Sequence, residues 1–119
     1  MGSSTDHRAK ADHNQLMLEA LEIDRFPDWA ATVAFYKAVH LVEMLFAARD
    51  NCHSQNHNER NARLRRNYRD IWHHFRAMLN FSVLARYEMR RIDPNKVRDK
   101  IINDRLSAIE SLVDNKLAA

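Results

Sequence analysis

The chain has 119 residues, with 19 lysines and arginines against 16 acids, a formal net charge of +3 and a single glycine; that is enough to bury one real core, but not two. With Gly2 alone and only Pro27 and Pro94 to break the chain, glycine-rich phosphate loops are excluded, two-residue hairpins are disfavoured, and a composition rich in Leu, Ala, Arg, Glu and Met favours helix nearly everywhere. The lone Cys52 excludes a disulfide framework and makes a reducing, cytoplasmic setting the default, while no signal-peptide pattern and no uninterrupted apolar run of about 20 residues points to a membrane.

Residues 1–5 read as a disordered start and 6–119 as a single helical domain. Thr5 or Asp6 can cap a first helix reaching about Asp24, with Leu16, Leu18, Ala20, Leu21 and Ile23 on its apolar side. Phe26-Pro27-Asp28 is a turn into a second helix, where Pro27 suits the first turn and Asp28 sits at the positive end of the dipole. That helix, Asp28 to Asp50, is apolar nearly all round, through Trp29, Val33, Phe35, Val39, Leu41, Val42, Met44, Leu45 and Phe46. Its exceptions, Thr32, Tyr36, His40, Glu43 and Asp50, fall within an arc of roughly 80° at about 100° per residue. A core helix with one polar stripe is the expectation.

Asn51 to Gln55 reads as a loop, and Asn56 with Glu59 as a capping-box-like start of a short helix from His57 to about Arg66. A long helix from Tyr68 to Arg91 follows, its core stripe being Tyr68, Ile71, Trp72, Phe75, Met78, Leu79 and Ser82. Asp93-Pro94 caps and starts the last helix, which uses Val97, Ile101, Ile102, Leu106, Ile109, Leu112 and Val113 and frays past Asn115. The expected fold is all-α: an antiparallel bundle of four longer helices and a short one.

Charge is unevenly placed. From His57 to Arg91 nine arginines face three acids, Glu59, Asp70 and Glu88, a local +6 that leaves −3 for the rest of the chain. Such a block suits a polyanion, and equally a solvated arginine face.

Four constellations carry chemistry. Tyr36, His40 and Glu43 lie one turn apart and can move protons, hold a ligand or form a hydrogen-bonded polar seam. Cys52, His53 and His57 have too few ligands at too loose a spacing for zinc, and no metal is assigned. His57, Arg60 and Asn61 share a face at a helix start, an anion site in form, with Arg63 beside it. In Arg66 to His74, Arg66, Arg69 and His73 lie on one face and Asp70 is placed to orient His74. Histidine beside arginine is what phosphodiester cleavage uses: one moves the proton, the other stabilises phosphorane charge. The alternative is the exposed back of an amphipathic helix.

Three stretches resemble the HEPN superfamily, small all-helical domains of prokaryotic toxin and defence systems. They are WAATVAFYKAVHLVEMLFAARD (AFYKAVH against an AYYAxxH-like pattern), SQNHNERN and SVLARYEMRRIDPNKV, together covering about Asp28 to Arg98. The resemblance implies an HEPN-like bundle of four or five helices that homodimerises. Active members are metal-independent RNases whose motif is arginine, four to six residues, then histidine. Arg66 to His73 and Arg69 to His74 fit that spacing. Where many such RNases place the motif just before the last helix, this chain reads Arg86-Tyr87-Glu88-Met89-Arg90-Arg91 with no histidine after it.

The expected function is therefore an HEPN-like domain that acts on or binds RNA without a cofactor, with metal-independent cleavage as the narrower and separate reading. Arg66, Arg69, His73 and His74 would be catalytic, and His57, Arg60, Asn61 and Arg63 would bind nucleic acid. The alternative is a non-catalytic homodimeric adaptor for an acidic partner protein from the same operon, or for a nucleotide-like ligand beside Tyr36, His40 and His57.

Overall fold

A computed structural model describes residues 2–87 and 91–119. Among the described residues it is all-helical, in five helices within 40 × 25 × 24 Å. Helix α1 is Ser4–Ala20; α2 is Pro27–Leu45, continued as a π-helical turn over Phe46–Asp50; α3 is His57–Asn67; α4 is Arg69–Tyr87. The last helix, α5, opens as Pro94–Lys96, widens to a π-helix over Val97–Leu106 and returns to α-helix over Ser107–Ala118. Glu88, Met89 and Arg90, within the expected end of α4, lie outside the described residues.

Cross-helix pairs set the directions. Lys37 reaches Gln15 and His40 reaches His7, so α1 and α2 are antiparallel. Phe35 packs on Phe75, and Thr32 lies beside Ala85, which makes α4 antiparallel to α2. His74 meets Arg105 and Asp70 meets Lys116, so α5 runs back along α4. The four longer helices thus alternate in direction, with α3 bridging one end between α2 and α4.

The central position of α2 follows from its side chains. Ala30, Ala31, Ala34 and Ala38 are fully buried, as is Ala11 on α1, and small residues let the two backbones approach closely. Leu41, Val42, Leu45 and Phe46 fill the lower core with Leu64, Ile71, Phe75, Ile109 and Val113. By composition Pro27–Asp50 is long and apolar enough to cross a bilayer, beyond the sequence expectation, and 83% of its most apolar window is buried in the bundle.

Several boundaries differ from the sequence reading. Ser3, not Thr5 or Asp6, caps α1: its hydroxyl accepts from the Asp6 N–H at 3.0 Å while the Asp6 carboxylate accepts from the Ser3 N–H at 3.1 Å, a reciprocal capping box within the expected disordered start. Helix α1 stops at Ala20, not Asp24, because Leu21 turns extended (φ −75°, ψ 136°) and Glu22 closes a turn with Arg25 and Phe26. That turn is tied to α5 through Arg98, which donates to the Asp24 carboxylate at 3.1 Å. Trp29 is 59% exposed rather than core, since the alanines beside it take the inner side of that turn. The junction expected between the short and long helices is found at Tyr68 (φ −139°, ψ 60°), so α3 and α4 are separate helices. The last helix continues past Asn115 to Ala118.

Asn56 and Asp93 cap as expected, accepting from the Glu59 and Asn95 N–H groups. Asn51 ends α2 in the left-handed region at φ 50°, a conformation asparagine tolerates better than most side chains. In α5 the π-helical stretch changes which residues point inward. At α-helical spacing Leu106 would lie about 140° round from Ile101, but a wider turn brings it back toward the same side. Both are buried, while Arg105 between them is left half-exposed toward α4.

Candidate functional site

The expected site residues separate into two places. The first is an open cleft of 540 Å³ between α4 and α5, lined by Arg69, Trp72, His73, Arg76, Ala77, Asn80 and Arg105. Arg69, His73, Arg76 and Asn80 follow one another at steps of four, three and four, so they form one line on the outer face of α4. Arg105 closes the opposite wall. Among the described residues no carboxylate lines the cleft, and Arg69, Arg76 and Arg105 form no salt bridge.

The two adjacent histidines differ. His73 is exposed in the cleft. His74 is turned toward α5, where the Arg105 guanidinium donates to its Nδ1 at 3.2 Å. Burial, then the positive charges of Arg105 and His73, hold His74 below the ordinary histidine range. Its neutral ring therefore accepts from Arg105 and helps hold that guanidinium against the cleft. Asp70 does not orient His74. Its carboxylate accepts from Lys116 at 2.9 Å and from the Ile71 N–H at 2.9 Å; although burial opposes it, these contacts hold its carboxyl below the usual carboxylate range.

Arg66 sits on α3, across the break at Tyr68, so the helix face it was expected to share with His73 does not exist. It is exposed and does not line the cleft. Of the four expected catalytic residues, the structure brings Arg69 and His73 to one cleft, sets His74 behind it, and leaves Arg66 outside.

The second place is a polar network where α1, α2, α3 and the 51–56 loop meet. Glu43, 2% exposed, accepts from Arg60 Nε at 3.1 Å and from the Ser54 N–H at 2.9 Å, with His53 Nδ1 at 3.7 Å. Arg60 also donates to His57 Nδ1 at 2.8 Å. On the α1 side His7 and His40 face each other Nδ1 to Nδ1 at 3.1 Å, and the His53 ring stacks on His7 with centroids 5.4 Å apart. Burial first, and then neighbouring positive charge, holds His40 below the ordinary histidine range; burial is the largest cause for His7 as well.

This network redistributes the expected anion site. Arg60 is engaged by a buried carboxylate and is not presented to a phosphate. Arg63 lies over the Phe46 ring and 3.9 Å from Asp50, whose two carboxylate oxygens also accept from the Tyr68 hydroxyl at 3.1 Å each. His57 is exposed but faces Arg60, and Asn61 is half-buried beside it. Tyr36 leaves the stripe for solvent at 44% exposure, so Tyr36, His40 and Glu43 do not converge on one ligand. The polar seam is the arrangement found for His40 and Glu43. Cys52 is half-buried with its thiol pushed up by burial, and among the described residues no three His, Cys, Asp or Glu side chains are placed to hold a metal.

Sequence reasoning missed five contributors. Arg76 and Asn80 were detectable, at seven and eleven residues from Arg69 on one helix face. Arg105 and His7 carried no signal, because each reaches its site from a helix remote in sequence. Lys37 was passed over too: it is 5% exposed and donates to Gln15 at 2.9 Å and Glu110 at 3.1 Å. No family model, no curated protein and no solved structure matches this chain.

Proposed function

We propose that this protein is an HEPN-like RNA-binding domain whose contact surface is the cleft between α4 and α5. One observation carries the reading: three guanidinium groups, an exposed histidine and an asparagine line a single open cleft with no carboxylate among the described residues. Arginine forks suit phosphate oxygens, and Trp72, its ring already stacked on Phe75 and covered by the Arg65 guanidinium, adds a rigid apolar wall to the cleft. The resemblance of the α2 and α4 sequences to HEPN domains supports the same class of ligand. Cleavage is the narrower part of the proposal. His73, one turn from Arg69 and from Arg76, is the residue placed to move a 2′-hydroxyl proton while arginine holds the phosphate.

The test is RNA binding at several salt concentrations, with single-stranded oligomers of different sequence. Arg69→Ala, Arg76→Ala and Arg105→Ala should each weaken binding across sequences, and each lost phosphate contact should flatten the logarithmic salt slope by about 0.7–0.9. Arg25→Ala, on the remote turn after α1, should change neither. Absence of binding at low salt, or full affinity in the triple variant, overturns the proposal. Cutting should survive EDTA, need the 2′-hydroxyl and disappear in His73→Ala; binding without cutting leaves the cleft as a binding site only.

A second reading, a homodimeric adaptor in which the chain meets a second copy, is favoured by a different observation. Trp29, Tyr36, Val83, Leu84 and Tyr87 are all more than 40% exposed on neighbouring parts of α2 and α4. Asp28 and Arg86 border the same region and lend it opposite charges that a two-fold contact could pair reciprocally between copies.

A further inference from the structure

The contact between His7 and His40 is chemically unusual. Two imidazole Nδ1 atoms 3.1 Å apart can share one proton and no more. If both carried hydrogen there, two N–H groups would point at each other.

The surroundings decide which ring carries it. His7 is 6% exposed, and its other nitrogen, Nε2, is buried with no partner. The Gly2 backbone covers that atom so closely that a Cβ on Gly2 would lie 2.9 Å from it. A hydrogen on Nε2 would be a buried donor with no acceptor, which costs more than a bare acceptor. His7 therefore carries its hydrogen on Nδ1 and donates to His40 Nδ1. His40, half-buried, carries its own on Nε2.

In this arrangement neither ring can take a second proton without breaking the packing. The vacant position of His40 is the acceptor of the hydrogen bond itself. The vacant position of His7 is the atom sealed beneath Gly2. The groups facing the pair do not compensate a new charge. From α2 comes Glu43, already matched by Arg60 of α3; from the loop comes His53; from α1 come Lys10 and Asp6, the latter held in the Ser3 capping box.

We propose that the His7–His40 pair is a proton-operated latch that fastens the first two turns of α1 to α2 when both rings are neutral and releases them when either is protonated. Within those turns Arg8 also pairs with Asp114 at 2.7 Å and Glu110 at 3.7 Å, but these are solvent-exposed pairs of little strength; the rest of α1 is held by the Ala11 and Leu18 contacts and the Gln15–Lys37 hydrogen bond, so release is confined to the amino-terminal half. Opening there uncovers His40 and the α2 surface near Met44, whose carbonyl accepts from the Ser4 hydroxyl.

Backbone hydrogen exchange, corrected for its intrinsic pH dependence, tests the latch. A freed imidazole titrates near its ordinary value of 6.5. Between about pH 7.5 and about pH 5.5 the open form of residues 4–10 should therefore gain about tenfold from each released ring. Residues 11–20 should not share the change. The double variant His7→Gln/His40→Gln should lose the response, whereas His74→Gln should keep it. Equal opening at the two pH values overturns the proposal, as does a response that persists in the double variant. Should that variant not fold, nitrogen-15 NMR of the unaltered protein decides. Near neutral pH one of the two rings must be the Nδ1–H tautomer and the other the Nε2–H tautomer, and two rings of the same tautomer overturn the latch.

Discussion

The buried Glu43–Arg60 pair gives a sharp test of how this bundle is held together. Their side chains are 2% and 11% exposed, and the pair joins α2 to α3 while also fixing the loop through the Ser54 N–H. Removing one partner leaves the other as an uncompensated buried charge, a loss of about 3–5 kcal/mol in comparable sites. Glu43→Leu should show that loss in full, since it strands both the Arg60 guanidinium and the Ser54 N–H. Arg60→Met should fall at the lower end, because Glu43 keeps the Ser54 hydrogen bond and His53 nearby. The double variant Glu43→Leu/Arg60→Met should recover most of the loss. What remains is the orphaned Ser54 N–H, about 1–3 kcal/mol. The measurement is urea unfolding of all four proteins with the coupling energy taken from the cycle. Single variants that each cost under about 1 kcal/mol, the range of exposed pairs, would refute the claim that this pair is desolvated and structural.

Other predictions follow from the same geometry. Phe75, fully buried between Phe35 and Trp72, should cost about 3–5 kcal/mol as Phe75→Ala, read by the same urea titration; unchanged stability would reject the phase assigned to α4. Stability should also fall with acid. His7, His40 and His74 are all held below the ordinary value of 6.5, so above it both states are neutral, and below it the unfolded chain takes protons more readily than the folded one. Thermal unfolding midpoints should therefore drop as pH falls through that value, and His7→Gln/His40→Gln with His74→Gln should flatten the curve. For the exposed apolar face, the unaltered 14.0 kDa chain should sediment as a dimer at tens of micromolar and Trp29→Ser/Tyr87→Ser as a monomer; a monomeric unaltered protein would remove the adaptor reading.

How much of this was legible in the sequence differs from element to element. The central role of α2 was readable because its apolar residues occupy nearly its whole circumference, a pattern with one physical solution. The stripe of α4 was readable for the same reason in narrower form: Ile71, Phe75, Met78 and Ser82 are buried at the expected spacing. The end of α1 at Ala20 was not readable, since neither glycine nor proline marks it, whereas the junction near Tyr68 falls where the expected short and long helices meet. The cap at Ser3 lost to two equally good candidates, Thr5 and Asp6, within three residues. Trp29 was assigned to the core by type, but type does not say which side of a first turn faces inward.

The site residues were harder, for a reason the arginines make plain. The local charge of +6 from His57 to Arg91 does not survive folding as a +6 field. Arg60 is neutralised by Glu43, and Arg63 lies on Phe46 beside Asp50. Arg65 and Arg86 lie over Trp72 and Tyr87, and Arg91 reaches the Asp24 carbonyl. A sequence records the charge of each guanidinium but not its partner, and burial decides whether that charge is structural or available. Arg69 and Arg76 remain on the outer face of α4, where the π-helical widening of α5 brings Arg105 to meet them. The one acid at that end of α4, Asp70, is turned away onto Lys116. The available positive charge is thus smaller than the composition suggests and more concentrated, and concentration in a carboxylate-free cleft is what gives a polyanion a defined place to bind.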